Sequence, residues 1–311
     1  MSILTVAVCT CNRAERLRKL IAELRMQECP VPFEILVVDN NSGDNTAEVV
    51  KELAGFDALS VRYVKEEKQG IVHARNCAID NSKKSKYLAF IDDDELPCPV
   101  WMKTAVDALE REGADCVGGE IRVRLPVVKQ PKWFEEELLG FLGKLKHGAT
   151  SFWIMDISTP VWSGNIAYRT SIFSDGLRFD VQYNREGNGI GGGEDAIMFK
   201  TLLKHGKRIR YRPDMVIEHL VDEWKLKRSY FIRLHYIAGR NYGQYMTDKY
   251  KRSIIGVPPF MFTQALRQWF RAVVMFLRHE QGVLRQAMNG AHATGVIAGR
   301  VNHWVRDFIN R

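Results

Sequence analysis

Residues 87 to 101 read YLAFIDDDELPCPVW. Five apolar residues run into four adjacent acids, Asp92, Asp93, Asp94 and Glu95, and the chain then breaks at Pro97 and Pro99. An unbroken apolar run of this length bounded by turn residues fits a strand buried on both faces. Neighbouring carboxylates repel, and a turn needs only one or two polar residues, so a positive partner is expected there. Oxygen ligands alone suit Mg²⁺ or Mn²⁺ rather than zinc or copper, and such an ion commonly bridges to substrate phosphates. A solvated acidic turn, with Glu95 favouring the N-terminus of a helix over 97–111, is the alternative reading.

The chain before this stretch alternates strand and helix. Apolar runs at 3–8, 33–39, 60–65 and 86–92 read as strands. Between them, 14–27 places Leu17, Leu20, Ile21 and Leu24 at helical spacing, and 45–53 and 71–82 read as shorter helices, with Asp44 and Thr46 at the start of the first of these. This alternation predicts an α/β fold with a mostly parallel, Rossmann-like sheet flanked by helices. Ligands bind such sheets at the carboxyl ends of the strands. Thr10, Cys11, Asn12 and Arg13, then Asp39, then the acids at 92–95 all fall there.

After about residue 113 the pattern changes. Strand material at 114–125 is followed by an amphipathic helix over 133–145, a strand-like stretch at 163–173 and a glycine-rich loop at 184–195. A helix over 195–205 and one or two strands at 208–220 follow, and from 225 onward nearly everything reads as helical. The expected domains are 1–224, with halves 1–112 and 113–224, and a helical extension at 225–311.

Composition is that of a soluble globular protein, 46% hydrophobic and 26% charged. No window reaches the roughly 20 apolar residues of a membrane span, and MSILTVAVCTCNR reads as a first strand rather than a signal peptide. The six cysteines offer no zinc-ligand spacing and are expected to be reduced, as in a cytosolic protein. The net charge of +8 is uneven: fifteen basic residues face three acidic ones from Lys225 to Arg311. That asymmetry calls for an anionic partner. In 259–280, Gln264, Arg267, Gln268, Arg271 and Arg278 fall near one face, while Phe262, Leu266, Trp269, Phe270, Val273, Phe276 and Leu277 cover much of the rest. Such a helix either lies in a membrane interface or packs on the remainder of the protein. Arg233 and Arg240, in the helix over 228–246, either reach a substrate phosphate or are solvated.

Five segments together, VAVCTCNR (6–13), VVDNNSGDNT (37–46), GIVHARNCAI (70–79), FIDDDE (90–95) and GGGEDAIMFKTLLKHG (191–206), resemble the family 2 glycosyltransferases of the GT-A fold in order and spacing. The similarity covers roughly residues 3 to 220. It implies an inverting transferase that uses a nucleotide-diphosphate sugar, usually UDP-linked, and a divalent metal, Mn²⁺ or Mg²⁺. It further implies that Thr10, Cys11 and Asn12 line the nucleotide pocket, Asp39 contacts the base, and Arg75 lies near the nucleotide or diphosphate. Asp92, Asp93 and Asp94 become the DxD element, with Asp92 toward the ribose and Asp94 on the metal. Asp195 becomes the catalytic base, Glu194 an acceptor contact, Gly164 and Asn165 acceptor or donor-sugar contacts, and His219 a late metal ligand. One departure stands out: the family commonly has Pro-Thr-Tyr-Asn where this chain has Cys9 to Asn12, and Cys11 cannot stack on a base.

The chemistry needs these groups in any case. The leaving diphosphate gains negative charge that a metal can stabilise, and the attacking hydroxyl must lose a proton to a positioned carboxylate. A glycine-rich loop before Glu194 suits closure over donor and acceptor. The expected acceptor is a hydroxyl of a glycan or lipid-linked sugar, handled at the inner face of the cell membrane by a protein that contacts anionic lipid through its C-terminal helices. A nucleotidyltransferase is the nearest rival, but the first strand-to-helix turn, CTCNRAER, lacks the glycines of a phosphate loop. A nucleic-acid-binding protein is less favoured, because no recognised motif accompanies the basic tail.

Overall fold

The computed structural model describes residues 2–56, 59–127, 130–185, 189–245, 250 and 252–309. The first half follows the predicted alternation: β1 (Leu4–Thr10), α1 (Ala14–Arg25), β2 (Phe33–Asp39), α2 (Thr46–Ala54), β3 (Val61–Lys65), α3 (Ile71–Asn81) and β4 (Tyr87–Ile91). Every residue of β1 and β4 is buried, as strands covered on both faces must be. Helix α1 buries Leu17, Leu20, Ile21 and Leu24, the face its spacing predicts.

The chain continues through β5 (Glu95–Pro97), α4 (Trp101–Glu110), β6 (Cys116–Arg124), β7 (Phe152–Ile154), β8 (Asn165–Arg169), α5 (Glu194–Lys204) and β9 (Ile209–Leu220). The sheet runs β3-β2-β1-β4-β8-β6-β9-β5, with β7 also paired to β9. Strands β1 to β4 are mutually parallel, and β8 enters antiparallel to both β4 and β6. The sheet is therefore parallel in its first half and mixed in its second.

The stretch 208–220 is a single strand shared between two partners. β7 pairs with its first residues and β5 with its last, and the register against β6 shifts between Gly119 and Ile121. Pro213 lies where the shift occurs, since proline has no N–H to give a ladder.

Two local expectations need correction. The amphipathic helix over 133–145 is a 3-10 segment, Glu136–Leu142, ended by Gly143 at φ 97°. Gly140 and Gly143 make a longer helix unfavourable, although Leu138 and Leu142 are buried as an amphipathic pattern requires. Glu95 does not stand at a helix N-terminus; it begins β5 opposite His219 and is 5% exposed. At α2 the expected residue does stand at the helix start: Asp44 accepts from the Thr46 N–H and hydroxyl, while Asn45 makes no side-chain capping bond.

The described chain forms two compact units, Met1–Gly187 with Glu194–Glu223, and Asn188–Gly193 with Trp224–Arg311. The second unit holds α6 (Arg228–Tyr245), α7 (Pro259–Leu277) and α8 (Val283–Ile309). Helices α6 and α8 meet through glycines. A Cβ on Gly239 or Gly243 would run into the His292 or Val296 carbonyl, and one on Gly295 or Gly299 into the Tyr236 or Arg240 carbonyl. Only residues without side chains allow two helical backbones this close. Helix α7 turns its small residues, Ala265 and Ala272, inward as its only fully buried positions. Trp269 lies over Gly290 and donates from Nε1 to Thr294 Oγ1 at 3.0 Å. Asn241 Nδ2 donates to the Gly192 carbonyl at 2.9 Å, so the end of the glycine-rich loop packs on α6. Residues 186–188 of that loop lie outside the described residues.

Candidate active site

Strand ends β1, β2 and β4 and the N-terminal turn of α5 bring the acids of the sequence together. Arg75, on α3, sits at the centre and is 2% exposed. Its Nη1 donates to Asp195 Oδ1 at 2.6 Å and to Glu194 Oε1 at 3.2 Å, and its Nη2 to Asp92 Oδ1 at 3.3 Å. The Phe179 ring covers one face of the guanidinium, 5.5 Å away. Burial alone would push this group down, but Asp195, Asp92 and Glu194 outweigh it and hold the cation well above its ordinary value. One cation facing three carboxylates leaves an excess of negative charge. Glu194 absorbs part of it: burial, then Asp195, push its carboxyl up against the pull of Arg75. Thus Arg75, expected near the nucleotide or diphosphate, makes its hydrogen bonds to the carboxylates of both motifs.

The acid turn is not a solvated one. Asp93 accepts from Thr10 Oγ1 at 2.7 Å, and burial, then Asp94, push it up to about 7. Glu95 Oε2 accepts the Asp92 N–H at 2.9 Å, and its carboxyl is raised well above the usual range, first by burial and then by Asp92 and Asp94. Gly164 is buried against it, because a Cβ there would run into Glu95 Oε1.

Asn165 is a correction to the sugar-contact expectation. It is 1% exposed; Oδ1 accepts from Trp101 Nε1 at 2.7 Å, and Nδ2 donates to the carbonyls of Glu120 and Met215 at 3.0 and 2.9 Å. Its amide joins β6, β8, β9 and α4 and has no face left for a substrate.

Asp94 and His219 form one corner. His219 Nε2 lies 3.6 Å from Asp94 Oδ2, while Nδ1 lies 2.7 Å from the Leu142 carbonyl. A carbonyl only accepts, so Nδ1 carries the hydrogen and the Nε2 lone pair turns toward Asp94. Gly143 permits this approach, since a Cβ there would stand 3.1 Å from Nδ1. Among the described residues no three His, Cys, Asp or Glu are gathered to hold a metal by themselves. A carboxylate and an oriented imidazole still fit a divalent ion that completes its shell with water and substrate phosphate. Two guanidinium groups share the corner. Arg13 lies 3.8 Å from both Asp93 and Asp94 and 3.7 Å from Asp222, and Arg16 lies 3.5 Å from Asp94 and pairs closely with Asp222.

At the other edge Asp39 is 2% exposed, with Oδ1 accepting the Ser42 N–H at 2.9 Å and Oδ2 the Tyr63 hydroxyl at 2.8 Å. Burial, then Asp39, push the Tyr63 phenol up to about 12. Asn12 adopts φ 56° and ties the β1 turn to the β2 turn: its N–H donates to Ser42 Oγ at 2.9 Å and its Oδ1 accepts the Gly43 N–H at 2.7 Å. Cys11, partly exposed, lies 4.0 Å from Gln69 Nε2.

The sequence reading missed Arg16, Tyr63 and Asp222, and missed Glu95 as a buried member of the acid turn. The i, i+3 spacing of Arg13 and Arg16 on one helix face was the available signal. Asp222 gave none, since it meets Arg16 across 206 positions of chain.

Among solved structures, the fold is similar to the mannosyltransferase PcManGT of Pyrobaculum calidifontis, solved with GDP-Man and Mn²⁺, at TM-score 0.62 and 17% identity over 96% of this chain and 87% of that one. It is also similar to S. aureus TarS residues 1–349, solved with UDP, at TM-score 0.55 and 18% identity over 99% and 92%. At such identities the likeness shows the fold alone. Among curated relatives, the succinoglycan biosynthesis protein ExoM of Rhizobium meliloti is 24% identical over 78% of this chain and 75% of its own. Glycosyltransferase AglE of Haloferax volcanii is 32% identical over 40% of this chain and 41% of its own length. The sequence model of glycosyl transferase family 2 matches residues 5–177, more than half of the chain. The nucleotidyltransferase alternative gives way to this match. With a GT-A sheet and the family's motifs gathered at its strand ends, the chain belongs to glycosyl transferase family 2.

Proposed function

We propose that this glycosyltransferase moves a sugar with inversion from a nucleotide-diphosphate sugar, UDP-linked, to a hydroxyl of a glycan or lipid-linked acceptor in polysaccharide or glycolipid synthesis. The observation that carries the reading is the Arg75 cluster, which fixes Asp195 beside the acid turn through one of its two oxygens. Asp195 Oδ2 takes no protein hydrogen bond among the described residues and is free to receive a proton. The acceptor hydroxyl gives its proton to Asp195 as its oxygen attacks the anomeric carbon, and the bond from that carbon to the diphosphate oxygen breaks. Arg13 and Arg16 offer positive charge toward the leaving diphosphate. Asp94 and His219 would hold a divalent cation, Mn²⁺ or Mg²⁺, whose charge would add to that of the arginines there. Asp39, Tyr63 and the β1 turn at Thr10 to Asn12 line the nucleoside side. The catalytic portion is 1–224, and 225–311 keeps the enzyme at the inner face of the cell membrane.

Asp195→Asn tests the reading. Donor binding, followed as Mn²⁺-dependent thermal stabilisation across a panel of nucleotide sugars, should survive, while transfer falls by about 10³-fold or more. Near-normal turnover in this variant would overturn the assignment of the base.

A further inference from the structure

A helix that only braces a soluble protein turns its large apolar residues inward. Helix α7 does the reverse. Its fully buried positions are Ala265 and Ala272, while Leu266 is 70%, Phe270 71%, Val273 53% and Leu277 71% exposed. At 100° per residue these four fall within about 60° of one another, so they form one stripe along the helix. Arg267 and Arg271 lie about 60° and 100° beyond one edge of the stripe, and the C-cap Arg278, 3.9 Å from Glu280, continues that side; all three are exposed. Pro259–Leu277 contains no acidic residue. Four large side chains left in water on one line are more than a stable surface tolerates without a partner.

We infer that this stripe is a docking surface for an anionic phospholipid bilayer, with α7 lying in the plane of the interface. The charge pattern selects that occupant. A basic border beside an apolar face matches acyl chains below and phosphate headgroups at their level, and arginine stems can run along the apolar surface while their heads stay in the polar layer. A protein partner or a second copy would need acids to meet the arginines, and α7 has none to offer a copy of itself. No described helix is long and apolar enough to cross a membrane, so α7 is a surface contact and not a span.

The test is co-sedimentation of the full chain with vesicles of equal phosphatidylglycerol and phosphatidylcholine, against vesicles of phosphatidylcholine alone. Binding at low salt should weaken with added salt and be about tenfold or more weaker on the neutral vesicles. Leu266→Glu with Phe270→Glu should abolish binding to both. Arg267→Gln, Arg271→Gln and Arg278→Gln together should reduce the anionic vesicles to the neutral level. All these positions are exposed, so unchanged melting and unchanged transfer to a soluble acceptor would show that each variant is folded. Three results would each overturn the inference: no binding of the full chain at low salt, binding that survives the glutamates, or a dimer that these substitutions convert to monomer. Vesicle binding without sugar transfer would leave the surface standing and refute the proposed reaction, so the two fail separately.

Discussion

Arg75→Met removes the cation and keeps much of the volume. Asp92, Glu194 and Asp195 then face one another without a counter-charge, Glu194 at 6% exposure. Removing one partner from a fully buried ion-pair cluster costs about 3–5 kcal/mol, and here Asp92 and Asp195 keep 31% and 25% of their side-chain surface exposed, which lowers the cost. Glu194 limits the loss, since its carboxyl is already pushed toward the protonated form. A loss near the lower bound, about 3 kcal/mol, is therefore expected in urea unfolding at neutral pH, or roughly 6–12 °C in melting temperature. Arg75→Lys keeps the charge and loses the fork that reaches both motifs, so it should recover more than half of the stability. Transfer should not recover with it: Asp195 loses its orienting bond, and a displacement of about 1 Å costs on the order of 10²-fold in kcat. A Met variant within about 1 kcal/mol of wild type would show that Arg75 does not hold the cluster together. A fully active Lys variant would show that it does not position the base.

Three further outcomes follow from the geometry. His219→Ala should raise the Mn²⁺ concentration needed for half-maximal transfer by about tenfold or more, and an unchanged metal requirement would remove His219 from the corner. Glu194→Gln should flatten the pH dependence of stability. The folded state holds the Glu194 proton more tightly than the unfolded state, so wild type loses stability as pH rises above the ordinary carboxylate range, and a Gln variant with the same slope would count against that raised carboxyl. Gly295→Val should force α6 and α8 apart and lower the melting temperature sharply, whereas a neutral effect would contradict the close helix contact.

What was legible in the chain was whatever local spacing encodes. The apolar runs of β1 and β4, the inner face of α1 and the clustering of acids at strand ends all follow from residues within about ten positions of each other. What was hidden depends on distant pairings. Nothing near Asn165 announces that its amide will join Trp101, Glu120 and Met215 across 45 to 64 positions. The insertion of β8 between β4 and β6 is a matter of topology, and Glu95 became structural only because β5 pairs with the end of β9. Helix α7 is the intermediate case. Its two faces were readable, but only the packing of Ala265 and Ala272 decided that the apolar one would remain outside along with the arginines.

The glycine seam between α6 and α8 bears on that outer face. Most helical bundles owe their cohesion to water, which drives apolar side chains together; surrounded by lipid tails, that drive fades. Four glycines that let carbonyl meet Cα directly depend instead on shape, and shape acts alike in either solvent. A bundle joined this way could rest against a bilayer without its helices spreading into it.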